Sequence, residues 1–138
     1  MTVKSDAAAL QARFDAQWAT LRPTVPIAYD NAAAIDPTPA APWVRFAVRA
    51  GNLDRGYIGG SSGLYQGRGR VWVQIFVPVQ SGAATADAMA DDVATIYRRW
   101  RSSDGAVRTD DAEFNTIPGD PVWHQINVSI PYVSWRTL

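Results

Sequence analysis

Three segments of this chain alternate hydrophobic and polar residues, which is the pattern of a β-strand with one buried face. They are residues 43–50, 69–77 and 122–135. In each segment one side is mainly apolar, whereas the other side carries Trp, Arg, Gln and Asn. Residues 25–29 and 112–116 favour two further, shorter strands. The positions expected to face the core are Val44, Phe46, Val48, Val71, Val73, Ile75, Val77, Val122, His124, Ile126, Val128, Ile130 and Tyr132.

Two other segments repeat apolar residues every three or four positions, which is the period of an amphipathic helix. The first covers residues 5–21, and Pro23 follows it as a stop signal. The second covers residues 85–101, with Gly105 as its expected terminator. The two apolar stripes consist of Leu10, Phe14, Trp18 and Leu21 in the first helix, and Met89, Val93, Ile96, Tyr97 and Trp100 in the second.

These elements predict an α+β fold in the order α-β-β-β-α-β-β, with one mostly antiparallel sheet and two helices on its apolar face. A length of 138 residues suits a single domain over residues 1–138. Residues 51–68 hold six glycines and are expected to form a long Gly-rich loop, mobile in an isolated subunit because ordering glycine is entropically costly. Residues 30–42, which contain three prolines, are expected to be a surface connection.

The composition offers little for catalysis or metal binding. The chain has no cysteine, one histidine and one glutamate, so thiolate chemistry and cysteine metal sites are excluded. His124 lies among apolar strand positions, where a structural, hydrogen-bonded histidine is expected rather than a base or ligand. The spacing Gly51 to Gly56 matches the glycines of a phosphate loop, but Tyr57 stands where the lysine is required. The sequence therefore predicts no enzyme, no metal and no cofactor.

The polar side of the strands is the candidate for contacts with other proteins. Six tryptophans are many for this length, and Trp and Arg are enriched at protein interfaces. A neighbouring subunit would explain such a face, and loops folded back over it would explain it too. The candidate interface residues, from this face and from the Gly-rich loop, are Trp43, Arg55, Tyr57, Tyr65, Arg68, Arg70, Trp72 and Trp123.

The charge balance bears on nucleic acids and membranes. Thirteen basic and thirteen acidic residues give a net charge of zero, which argues against dedicated nucleic-acid binding. Arg55, Arg68 and Arg70 could touch phosphates if they lined a DNA channel, but pairing with Asp54 or with neighbouring chains is the favoured role. No apolar run approaches the ~18 residues that span a bilayer, so a soluble protein is expected.

Five segments together resemble the tail terminator proteins of long-tailed phages and gene transfer agents. They are VPIAYDN at residues 25–31, WVRF at 43–46, GRGRVWVQIFVP at 67–78, AMADDVATIY at 88–97 and WHQINVSI at 123–130. Their order and spacing carry the likeness over nearly the whole chain, whereas no single motif is diagnostic. The connection after Tyr29 and the stretch before Val122 match the family poorly.

The resemblance implies a lambda-type terminator fold that assembles into a hexameric ring. Such a ring would cap the tail tube protein, stop tail polymerisation and present its far side to a neck or head-completion protein. Genome DNA would pass through the lumen without sequence-specific binding. The protein would lie in the virion, at the head-proximal end of the tail, after synthesis in the host cytoplasm.

Three other functions remain open from the sequence. A neck or head-completion ring protein has a similar size and is the nearest alternative. A small ligand-binding α+β module or enzyme would need a polar pocket, for which the chain supplies His124 and scattered carboxylates. A nucleic-acid-binding domain would show a steeply salt-dependent affinity for DNA.

Overall fold

Two helices pack on one face of a six-stranded sheet in the computed structural model, which describes residues 3–29, 41–55 and 64–137. This confirms the α+β class, the two helices and the mostly antiparallel sheet. The elements are α1 (Val3–Leu21), β1 (Ile27–Tyr29), β2 (Trp43–Arg55), β3 (Leu64–Pro78), a 3₁₀ turn (Val79–Ser81), α2 (Ala83–Tyr97), β4 (Val107–Thr109), β5 (Glu113–Ile117) and β6 (Trp123–Thr137).

The sheet is built around two long central strands, β3 and β6. The strand order is β1-β2-β3-β6-β4, and β5 also pairs with β6. β4 lies beside residues 132–134 of β6 and β5 lies beside residues 125–129, so the two short strands follow each other along one edge. All pairs are antiparallel except β1 with β2, which is parallel.

The alternation in the sequence determines which side of the sheet is buried. Val44 of β2 lies beside Ile75 of β3, which in turn lies beside Ile126 of β6, and all three are buried under the helices. Full burial of an aliphatic side chain of this size contributes about 1.5–3 kcal/mol relative to exposure. Repeated along the three strands, this burial fixes the register, because a slip of one residue would turn the apolar row towards the opposite face.

The helices are attached by aromatic stacking and by specific polar contacts. The Phe14 ring stacks on Trp18 of its own helix and on Phe46 of β2, with centroid distances of 5.3 and 4.8 Å. The buried Tyr97 hydroxyl of α2 donates to the Leu10 carbonyl of α1 at 2.6 Å. The two helices thus contact each other as well as the sheet. Neither helix is long and apolar enough to cross a membrane.

The strands β2 and β3 extend well into the segment expected to be a Gly-rich loop. β2 continues to Arg55 and β3 begins at Leu64, so the described parts of residues 51–68 are strand rather than loop. Residues 56–63, with the candidate Tyr57, lie outside the described residues, as does 30–40 of the expected surface connection.

Two glycines of the extended strands lie at positions that have no room for a side chain. A Cβ on Gly69 would lie 2.5 Å from the Arg49 carbonyl oxygen, and one on Gly51 would lie 2.9 Å from the Arg68 carbonyl oxygen. The pairing shifts between Ala50 and Leu53, where two residues of β2 oppose one of β3 in a β-bulge.

The region after α2 differs from the expected order by one additional strand. α2 ends at Tyr97 rather than near residue 101, and Arg99 adopts a positive φ of 50°. Gly105, also at positive φ, lies in the turn that precedes β4 and does not end the helix. The buried Thr109 hydroxyl donates to the Tyr97 carbonyl at 2.6 Å, which anchors β4 to the end of α2.

Tyr29 of β1 makes the fold sensitive to alkaline pH. Its hydroxyl donates to the Asp15 carboxylate of α1, and burial, followed by that hydrogen bond and the Asp15 charge, raises the pKa of Tyr29 to about 12. A raised folded-state pKa stabilises the fold fully below pH 10, the ordinary value, and the stabilisation disappears as the pH rises through 12.

We expect the free energy of unfolding to fall between pH 10 and 12, and to fall less steeply in Tyr29→Phe. Urea titrations at successive pH values measure the slope, and ultraviolet titration of the phenolate reports the pKa directly. Equal slopes for the two proteins would show that Tyr29 titrates alike in the folded and unfolded states.

Candidate assembly interface

One face of the sheet points away from both helices, and we call it the polar-aromatic face. β3 runs along its centre, between β2 and β6. Most of its side chains are half-buried. The face consists of Trp43, Arg45, Ala47 and Arg49 of β2, Arg70, Trp72, Gln74 and Phe76 of β3, and Trp123, Gln125, Asn127 and Ser129 of β6.

Three aromatic rings form a cluster at one end of this face. Trp43 and Phe76 are cross-strand partners, and their rings stack at 4.2 Å with an interplanar angle of 11°. Trp123 meets Trp43 edge-on, at 6.3 Å and 88°. Pairs of this geometry contribute roughly 0.5–1.5 kcal/mol beyond their buried area. The register of β2, β3 and β6 therefore assembles one rigid aromatic platform from three strands.

The cluster carries a positive charge at its side. The guanidinium carbon of Arg45 lies 5.7 Å from the Trp43 ring centroid, within the range of a cation–π interaction. The Trp43 indole N–H is buried and has no hydrogen-bond acceptor among the described residues. A buried donor left without a partner costs about 1–3 kcal/mol, which the ring contacts of Trp43 must offset.

Side-chain amides occupy the middle of the polar-aromatic face. Gln74 lies between Arg45 on β2 and Asn127 on β6, and Asn127 lies beside Asn115 on β5. The Gln125 amide donates to the Asn127 side-chain oxygen at 2.9 Å. Amides both donate and accept hydrogen bonds, so this row can bind to the backbone or side chains of another protein.

Arginines dominate the other end of the face, where they border an open cleft of about 420 Å³. Arg49 and Arg70 lie directly opposite each other on β2 and β3, and Arg68 also lines the cleft. Arg70 donates to the Ser129 hydroxyl at 2.7 Å and pairs with the Glu113 carboxylate at 3.2 Å. Glu113 therefore partly offsets the like charges of Arg49 and Arg70.

The eight candidate interface residues do not all lie on this face. Five of them belong to it: Trp43, Arg68, Arg70, Trp72 and Trp123. Arg68 is included because it lies two positions before Arg70 in β3 and therefore on the same side of the strand. The remaining three candidates lie elsewhere or outside the described side chains.

Tyr65 and Val71 are an even number of positions apart in β3, so they share a side of the strand. Tyr65 therefore lies on the helix side, opposite to Arg70. Arg55 pairs with Tyr65 at the end of β2, and its side chain is outside the described residues, as is the whole of Tyr57. The sequence had singled out neither Phe76 nor Arg45 as interface residues. Both could have been identified as interface candidates from their positions on the polar side of the alternating segments.

The side chains of this surface are of types that proteins often use to contact each other. In the described parts of the chain, no group of three or more His, Cys, Asp or Glu residues is close enough to hold a metal ion. His124 lies beside Val77, on the helix side, and lines a separate cleft that includes Asp120. Aromatic rings and guanidinium groups, which this face combines, are enriched where proteins contact each other.

Comparison with known proteins agrees with the resemblance noted in the sequence. The family described as phage tail terminator protein matches residues 7–132. A solved structure superposes with a TM-score of 0.69, at 22% identity over 92% of this chain and 91% of the other, which establishes a shared fold. A search of the curated proteins returns no match.

Proposed function

Because this chain belongs to the phage tail terminator family and is a structural protein of the phage tail, we propose that it forms a hexameric ring that caps the tail tube. The ring stops polymerisation of the tail tube protein and offers its far side to a neck or head-completion protein. Its place is then the head-proximal end of the tail in the virion.

The observation that best supports this proposal is the polar-aromatic face. It combines a stacked aromatic cluster with arginines, both of which are enriched at protein–protein interfaces, and with a row of side-chain amides. A ring requires two different surfaces on each subunit, since a head-to-tail contact joins unlike patches. A sheet with one face under helices and the other face available supplies such asymmetry.

Genome DNA passes through the proposed ring without sequence-specific contact. A net charge of zero gives no strong overall attraction for a polyanion, which suits a conduit from which DNA must leave. The arginines near the cleft are balanced in part by Glu113 within the same chain.

Arg45→Glu is expected to weaken capping about tenfold, which corresponds to about 1.4 kcal/mol of binding free energy. The substitution removes the cation beside Trp43 and places a negative charge on the polar-aromatic face. Purified protein is added to tail tube protein during tube growth, and tube lengths are measured by electron microscopy. The wild-type protein should stop elongation when the amount added corresponds to about one ring for each tube end.

Lys4→Glu is the matched control, because Lys4 is exposed on α1 and the substitution changes the charge by the same amount. Equal capping by both variants would exclude the polar-aromatic face from the tube contact. Failure of the wild-type protein to cap tubes, together with binding to filled capsids, would assign it instead to the head-completion rings.

A further inference from the structure

Strand β5 presents one unpaired edge. Its five residues pair with β6 on one side, and no described residue pairs with them on the other. Four of the five are exposed, and the Phe114 side chain is 54% exposed. An exposed edge strand is a template for another strand, because its outward N–H and C=O groups lack strand partners.

A second unpaired edge lies at the opposite side of the sheet, on β2. β1 covers only Val44, Arg45 and Phe46, and no other described strand lies beyond it. From Ala47 onwards the outer side of β2 is therefore open among the described residues. The sheet has two unlike edges, one on β5 and one on β2.

The charges of the two edges are complementary. Asp110, Asp111 and Glu113 precede or begin β5, and all three are exposed. Arg49 is exposed on the open part of β2. Opposite charges on facing edges favour contact between different edges, and like charges disfavour contact of each edge with its own copy. A head-to-tail arrangement of identical chains satisfies both conditions.

We propose that β5 of one copy pairs with β2 of the next copy, so that the sheet continues from subunit to subunit. This pairing rests on the ring proposed above and specifies the contact that builds it. β5 is antiparallel to β6, β6 to β3, and β3 to β2, so β5 runs antiparallel to β2 within one chain. A rotation of about 60° between ring neighbours turns a strand direction by at most that angle, which is too little to reverse it, so the new pairing is antiparallel.

The position of β1 limits the register of this pairing. The five residues of β5 fit beside residues 47–51 of β2 without displacing β1. Asn115 then lies opposite Arg49, and Ile117 lies opposite Ala47. Glu113 comes diagonally next to Arg49, within reach of an ion pair. In this register Asn115 and Ile117 continue the polar-aromatic face of the next subunit, because they lie on the same side of the sheet as Asn127 and Gln125.

Paired cysteines can test the register, because the natural chain contains no cysteine. Asn115→Cys combined with Arg49→Cys should give disulfide-linked multimers from rings assembled on tail tubes. Ile117→Cys with Ala47→Cys should do the same, since in an antiparallel pair a shift of two residues on one strand is matched by an opposite shift on the other. A disulfide forms only when the two Cα atoms are within about 7 Å.

The controls are the crossed pair Ile117→Cys with Asn52→Cys and the distant pair Asn115→Cys with Lys4→Cys. We expect at least tenfold more linked multimer from the two matched pairs, read on non-reducing gels, with the circular dichroism spectrum of each variant unchanged. If rings cap tubes and the matched and control pairs link equally, the pairing is wrong and the ring stands. If no rings form on tubes, both the ring and the pairing are wrong.

Discussion

Phe14→Ala is expected to lower the free energy of unfolding by about 4 kcal/mol. Phe14 is fully buried and stacks on both Trp18 and Phe46, so it connects α1 to the sheet. Its removal leaves a cavity bordered by two rigid aromatic rings that cannot close over it. Urea denaturation followed by tryptophan fluorescence measures the loss, and the emission of Trp18 reports the same region.

Gln11→Ala is the control for this substitution, because Gln11 belongs to the same helix but its side chain is exposed. It should leave the free energy of unfolding within about 0.5 kcal/mol of the wild type. A loss below about 2 kcal/mol for Phe14→Ala would mean that α1 is not held to the sheet by this stack.

Gly69→Ala should destabilise the protein by about 3 kcal/mol. The new Cβ would lie 2.5 Å from the Arg49 carbonyl oxygen and 2.6 Å from the Tyr132 hydroxyl. The carbonyl belongs to the neighbouring strand and the tyrosine is buried, so neither can move away freely. Separation of β2 from β3 would relieve the clash and would weaken the extended part of the sheet. The midpoint and slope of urea unfolding measure the effect.

Gly105→Ala is the control that distinguishes a steric clash of the new Cβ from the backbone strain of replacing a glycine. No atom lies within 4 Å of a Cβ at this position, although the backbone has a positive φ of 74°. The substitution should cost about 1 kcal/mol from backbone strain alone. Equal losses at Gly69 and Gly105 would contradict the steric explanation.

The sidedness of the sheet could be predicted from the sequence because it depends on local alternation. Val73, Ile75 and Val128 were expected to face the core, and each is fully buried. Burying the apolar rows of the three long strands under the helices also restricts the register, because a slip of one residue would turn these rows to the opposite face. The same alternation identified the side chains of the polar-aromatic face.

The extension of the β2–β3 hairpin could not be predicted, because glycine has a low intrinsic preference for strands. The sequence shows many glycines but does not show that Gly51 and Gly69 lie where another backbone approaches closely. β4 was missed for a different reason. Three residues are too few for alternation to be recognised, and contact with β6 and with the end of α2 determines the strand.

The assembly of the candidate site depends on contacts that are distant in the chain. Trp43 and Trp123 were both selected, but their edge-to-face contact follows from the register of β2, β3 and β6. Phe76 is not among the candidates that the sequence suggests, although it is the ring on which Trp43 stacks. Arg70 was selected as a charged residue, and its links to Ser129 and Glu113 required the position of β5.

The position of β6 has a consequence for the newly made chain on the ribosome. β6 is synthesised after all the other described strands, yet it lies inside the sheet, between β3 and the β4–β5 edge. Until β6 emerges, β4 and β5 have no partner strand and one side of β3 is unprotected. Unpaired strands at this stage are prone to aggregation. The same delay means that the β5 edge, through which we propose that subunits join, cannot form until β6 has been made.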